Sequence, residues 1–272
     1  MESIRDVLCR EVDRRATLTP EQNAARRKDL LDAMVASLDP LTGKPWTRTQ
    51  FRGQVATLAF GALDTTVSTE WYQFWLAARN PGILDPIRDE LAAFLAERER
   101  SGAPAPPFAN GAGVSYDDMT TRLPVLMASS TELMRMTVSG PNAARHVVED
   151  VVLVDESTGV KYRVPSGRSM WISLALTSLR NPRITNPAEF DAKRFTERKE
   201  DTPNGLPFFG FGSRLCAGQK FGRIQLLTFF VVLAARRPKM QLRADCVDVK
   251  TDYKPTLVPV PAGCWIRFTK GA

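Results

Sequence analysis

A chain of 272 residues, 43% hydrophobic and 25% charged, has ordinary globular composition and enough length to bury a sizeable core. Its net charge of +7 comes from basic residues interleaved with acids, as in Glu97-Arg98-Glu99-Arg100 and Glu197-Arg198-Lys199-Glu200, and no nucleic-acid motif accompanies them. One histidine, His146, cannot build a His-rich zinc or non-heme iron site, and four scattered cysteines (Cys9, Cys216, Cys246, Cys264) without a C-x-x-C pair argue against a zinc site and a disulfide scaffold.

In chain order, residues 1–46 read as a helical lead-in, with Leu30, Leu31, Met34 and Leu38 on one face of a helix over 21–38. The N-terminus carries no apolar signal region, which points to an intracellular protein, with the endoplasmic reticulum membrane as its place if an anchor precedes this segment. The turn-rich segment Asp39–Pro45 follows. Residues 47–79 lack proline and predict one long helix, ended by Asn80-Pro81-Gly82. Its middle, AFGALDTTVSTEW, is rich in small and hydroxyl residues, a poor choice for stability alone. A second helix is expected over 83–100, a loop over 102–113, and a further helix over 116–137 carrying Glu132 and Arg135.

Residues 147–155, 157–159 and 160–164 read as strand, turn and strand, and Ser169–Leu174 as another strand. The stretch 180–208 is irregular. A helix over 218–236 and short strands around 239–244 and 264–268 close the chain. The apolar run LLTFFVVLAA within that helix is too short to span a bilayer.

Between these elements lies PFFGFGSRLCAGQKFG, which spells F-x-x-G-x-R-x-C-x-G with Phe209, Gly212, Arg214, Cys216 and Gly218. A thiolate just ahead of a helix is stabilised by the helix dipole and by unpaired N–H groups. Glycines at 210, 212 and 218 let the backbone turn tightly and approach a flat cofactor. Arg214 offers a fork of donors for a carboxylate. A dinucleotide fingerprint would need glycine where Leu215 stands. A cysteine merely buried before a helix would leave Phe209, Arg214 and three glycines unexplained. A hydrolase would need His146, and no G-x-S-x-G elbow is present.

This loop resembles that of the cytochrome P450 family, and further motifs resemble it in the same order. Gly61-Ala62-Leu63-Asp64-Thr65-Thr66 is similar to the family's [AG]-[AG]-x-[DE]-T-[TS]. Glu132-Leu133-Met134-Arg135 matches E-x-x-R, a spacing that places both charges on one helix face. Phe190-Asp191-Ala192-Lys193-Arg194-Phe195 is similar to F-x-P-x-R-F, except that Ala192 replaces proline. No W-x-x-x-R helix stands ahead of Gly61-Ala62-Leu63-Asp64-Thr65-Thr66 to hold the other side of a heme, so the resemblance, which runs from about Arg27 onward, implies a P450 fold, mainly α with small β-sheets, lacking its N-terminal portion and forming one partial domain over 1–272.

The resemblance further implies heme b, with Cys216 as the thiolate ligand of its iron and Phe209 shielding the thiolate. Gly212 and Gly218 shape the loop, and Arg214 and Arg145 bind the propionates, His146 being the rival of Arg145. Asp64 and Thr65 would deliver protons to bound dioxygen, while Glu132, Arg135 and Arg194 form a structural triad. The implied reaction inserts one oxygen atom into a lipophilic substrate. Electrons would come from an acidic reductase or ferredoxin at the basic set Arg214, Lys220, Arg223, Arg236, Arg237 and Lys239, for which plain solvated charge is the other reading. Two alternatives to an enzyme stand: a truncated fragment that holds no heme, and a basic interaction module that leaves the motifs unexplained.

Overall fold

The computed structural model describes residues 4–26, 28–104, 113–200, 206–246, 250–253, 257–260 and 266–269. The chain forms two compact units, Met1–Asp64 and Thr65–Ala272, whose boundary falls inside one helix.

The first unit holds α1 (Ile4–Ala16), α2 (Pro20–Ala25), α3 (Leu30–Ala36) and the start of α4 (Arg48–Arg79). The single helix expected over 21–38 is therefore two short ones. Each has its own capping box: Thr19 with Gln22 starts α2, and Asp29 with Asp32 starts α3, while Arg26 between them is extended. The break alters which side chains are buried. Leu31 is buried and Met34 half-buried, whereas Leu30 and Leu38 face solvent. Leu31 packs with Cys9, Phe51 and Val55 in a small core. Arg15 ties α1 to α3 through Asp29 at 2.7 Å and Asp32 at 3.2 Å.

The second unit continues α4 and adds α5 (Asp85–Ser101), α6 (Tyr116–Thr121), α7 (Pro124–Met136), α8 (Leu174–Leu179) and α9 (Gln219–Arg236). Its core is the meeting of α4, α5, α7 and α9, where Leu76, Leu91, Phe94, Leu126, Leu133, Leu227 and Phe230 are buried together. Gln73 of α4, fully buried, donates from Nε2 to the Leu226 carbonyl of α9 at 3.0 Å. The helix expected over 116–137 is split at Pro124. That proline has no N–H to continue a helix, and it holds Leu123 out of the helical region at φ −120°, ψ 71°. The second piece, α7, begins without a capping side chain of its own. Glu90 of α5 takes that role, accepting from Val125 N–H at 2.8 Å and Leu126 N–H at 2.9 Å.

Among the described residues the strands form four two-stranded antiparallel sheets. These pair β1 (Asn142–His146) with β4 (Ser169–Ser173), β2 (Val151–Val154) with β3 (Lys161–Val164), β5 (Lys239–Leu242) with β8 (Ile266–Thr269), and β6 (Lys250–Tyr253) with β7 (Leu257–Val260). Strand β1 is not signalled by alternation, and α8 takes up Leu174, the last residue of the expected strand 169–174, because the Ser173 side chain caps the helix through Leu176 N–H.

Cys9 and Cys216 are free thiols, while Cys246 is buried and disulfide-bonded, a pairing the wide cysteine spacing did not signal. Among the described residues no helix is long and apolar enough to cross a membrane.

Candidate functional site

The cysteine loop is built as a staple. Gly210 N–H donates to Pro207 O at 2.9 Å, and Leu215 N–H donates to Gly212 O at 3.0 Å, closing a single 3₁₀ turn over Gly212–Arg214. Gly210 and Gly212 sit at φ +73° and +64°, the left-handed region that glycine occupies without strain. The loop then returns on itself, with Cys216 N–H donating to Phe209 O at 2.9 Å. Gly218 is the N-cap of α9, and a side chain there would begin 3.8 Å from Cys216 Sγ. The outcome is one exposed free thiol just ahead of an 18-residue helix.

The surroundings of the thiol are apolar and cationic. Phe211, Leu215 and Phe221 are each about half exposed. Arg145 of β1 lies over the Phe211 ring at 5.8 Å and donates from Nη1 to its neighbour Ala144 O at 2.8 Å, whereas His146 beside it is exposed. Arg214 is exposed. Among the described residues no group of three or more His, Cys, Asp or Glu side chains can hold a metal ion. A soft thiolate, exposed aromatic and aliphatic surface and two arginines fit an iron in a flat apolar macrocycle with carboxylate arms.

The three charged residues singled out by spacing are brought together, buried and fully engaged. Arg135 donates from Nε to Glu132 Oε2 at 2.8 Å and from Nη2 to Glu132 Oε1 at 2.9 Å. Arg194 Nε reaches the same Glu132 Oε1 at 3.0 Å, and its Nη1 reaches Glu200 Oε2 at 2.9 Å. Carbonyls of Asn186 and Glu189 accept from Arg194 Nη2 at 2.8 and 3.0 Å, and Thr185 O accepts from Nη1. Two carboxylates therefore balance two guanidiniums, which is the condition for burying such charges. Burial works against the Arg194 charge, but Glu200 and Glu132 outweigh it and hold the guanidinium above its ordinary value. Burial likewise pushes Glu200 up, and Arg198, Thr185 N–H and Arg194 outweigh it, holding its carboxyl at about 2.

Sequence reasoning missed two members of this network. Asp191 closes the turn where the family pattern has proline at 192: its carboxylate accepts from Lys193 N–H at 3.0 Å, and its own N–H donates to Glu132 Oε1 at 3.0 Å. Glu200 is brought in by a π turn over Arg194–Arg198 and belongs to no fixed-spacing motif, while Asp191 stands at a free position of F-x-P-x-R-F, where the motif does not announce it.

Gly61, Asp64 and Thr65 all lie on α4, which is unbroken through them. Asp64 is exposed and closes the first unit, while Thr65 is half-buried, opens the second and accepts at its carbonyl from Thr69 Oγ1 at 2.9 Å. Nothing lies within 4 Å of a side chain built at Gly61. The cysteine loop, the triad and Arg145 all belong to the second unit.

Fold and loop together define a mainly helical protein organised around one loop thiol and braced by a buried Glu–Arg–Arg network. A family model described as cytochrome P450 matches residues 5–236, and the chain belongs to that family. It is 28% identical over 243 residues to cytochrome P450 4F2 of Homo sapiens, covering 88% of this chain and 42% of that protein. It is 25% identical over 209 residues to the mitochondrial cytochrome P450 11B of Aquarana catesbeiana, covering 76% and 36%. The solved structure of retinoic acid-bound cyanobacterial CYP120A1 superimposes with a TM-score of 0.76 at 18% identity, over 98% of this chain and 55% of that one. The chain thus spans about half the length of the relatives it matches.

Proposed function

We propose that this chain carries the heme-thiolate centre of a monooxygenase acting on a lipophilic substrate. The observation that carries the reading is the exposed Cys216 thiol, held ahead of α9 by its N–H bond to Phe209 O and flanked by apolar residues and arginines. Bound at this thiolate, heme supplies an iron that activates dioxygen, and electron donation by sulfur favours O–O cleavage.

The chain's own groups divide the remaining work. Phe209 and the glycines shape the loop, and Arg214 and Arg145 engage the carboxylate arms. Asp64 and Thr65 hold and pass protons, a general acid–base role in which the hydroxyl relays and the carboxyl replenishes. Glu132, Arg135 and Arg194 hold the segment leading to the loop and take no part in proton or electron movement. The exposed basic residues Arg214, Lys220 and Lys239 suit an acidic electron donor, since opposite charge raises the rate of encounter.

The test is uptake of heme by the purified chain, followed by absorbance titration, beside a Cys216→Ser variant. Stoichiometric uptake that weakens in the variant supports the reading. Equal uptake by both contradicts it. A second reading, a fragment that holds no heme, is favoured by the exposure of Trp171 at 72%, apolar surface that the described residues leave uncovered. No uptake by either protein selects it.

A further inference from the structure

We infer that Arg223, in the second turn of α9, is a positioning residue for the cysteine loop, acting through the ring of Phe209. The inference rests on the reading of Phe209 as the residue that backs the Cys216 thiolate, and it adds what holds Phe209 in place.

The Phe209 ring is held from two sides. Its edge lies against Gly222, where a side chain would begin 4.0 Å from Cε1. The Arg223 guanidinium stands over the ring at 5.9 Å from its centroid. Phe209 also packs against the main core, so the ring is anchored on its inner side as well. Its carbonyl accepts the Cys216 N–H at 2.9 Å, so any movement of Phe209 is passed directly to the backbone that carries the thiol.

Arg223 is unusual among the arginines of this chain. It is half-buried, yet among the described residues no carboxylate or carbonyl receives a hydrogen bond from it. A guanidinium withdrawn from water without an ion pair is costly, and its compensation here is an aromatic face. Burial pushes Arg223 below its ordinary value, and the Tyr116 phenol at the start of α6 offsets only part of that. Arg135 and Arg194, by contrast, are buried with full sets of partners. A surface residue contributing only charge would extend into solvent, as Lys220 and Arg236 do. Arg223 instead spends its charge on one ring, that of the residue bonded to Cys216.

The experiment follows amide hydrogen exchange of Cys216 in the heme-free chain, so that it reads the loop whether or not heme binds. Arg223→Met keeps the apolar stem and removes the cation, and Arg223→Lys keeps a cation. Loss of one partly desolvated cation–π contact is expected to speed Cys216 exchange about fivefold in Arg223→Met. The rate should return toward that of the native chain in Arg223→Lys, and Leu227 and Phe230 in the core of α9 should exchange unchanged. In a Phe209→Leu background, Arg223→Met should have no additional effect, because its target is gone. Unchanged Cys216 exchange in Arg223→Met, failure of lysine to restore it, or a full additional effect without Phe209 would each overturn the inference. Failure of heme uptake alone would bear on the proposed function and leave this result standing.

Discussion

Glu132 and Arg194 are 62 residues apart in sequence and meet at 3.0 Å, with side chains 0% and 1% exposed. Glu132 also receives both the Nε and Nη2 of Arg135, so one carboxylate bridges two guanidiniums and joins α7 to the segment before the cysteine loop. Removing the carboxylate leaves the buried Arg135 without an ion-pair partner and Arg194 with Glu200 alone. Glu132→Ala should cost about 3–5 kcal/mol in denaturant unfolding, the range for breaking a buried ion pair by one partner. A loss below about 1 kcal/mol, typical of exposed pairs, would show that the network does not brace the fold.

Glu200 provides the pH test of the same network. Its folded carboxyl is held at about 2, below its ordinary 4.5. A group depressed on folding adds stability that is complete above the unfolded value and disappears as pH falls through the folded one. The stability gap between the native chain and Glu200→Gln should therefore be widest at pH 5 and above, and close as pH falls from 4.5 toward about 2. A gap independent of pH over that window would mean that Glu200 carries no ionic role.

How much of this was legible in sequence depended on whether a residue's role travels with fixed spacing. Glu132 and Arg135 announce themselves because three residues along a helix return to the same face. Glu200 and Asp191 do not, since their roles arise from a π turn and a side-chain-closed turn that only folding creates. The break at Pro124 follows from proline's missing N–H, and a reading that weighed it fully would have divided 116–137 into two helices. Strand β1 was hidden because Asn142-Ala143-Ala144-Arg145-His146 has no apolar alternation and is defined by its partner β4. Arg223 was read only as one of the basic set beside the cysteine loop, where nothing local in the sequence separates a ring-bound guanidinium from a solvated one.

The loop glycines make a contrasting pair. At Gly212 nothing lies within 4 Å of a built side chain, so Gly212→Ala is opposed only by its φ of +64°. The expected cost is about 1–2 kcal/mol, the penalty for a left-handed L-residue, and Gly212→Asn should cost less. Gly218 has ordinary helical-side φ, and a methyl there makes plain contact with Cys216 Sγ at 3.8 Å. Gly218→Ala should leave unfolding nearly unchanged. Equal costs at the two positions in a thermal melt would contradict the loop geometry.

The two free thiols described here should behave oppositely toward an alkylating reagent. Cys216 is exposed, and Cys9 is 4% exposed in the core of the first unit. Peptide mapping after brief alkylation of the native chain should find Cys216 modified and Cys9 intact, with Cys9 reacting only in denaturant. Early modification of Cys9 would show that the first unit does not hold its small core.

The central claim, that Cys216 is the ligand of a heme iron, is tested most directly by the spectrum of the reduced, carbon-monoxide-bound, heme-loaded chain. The account predicts the band of a thiolate-ligated heme, absent in Cys216→Ser. A heme-loaded chain that shows only the band of heme without a thiolate, or that gives the same spectrum with serine at 216, would contradict it.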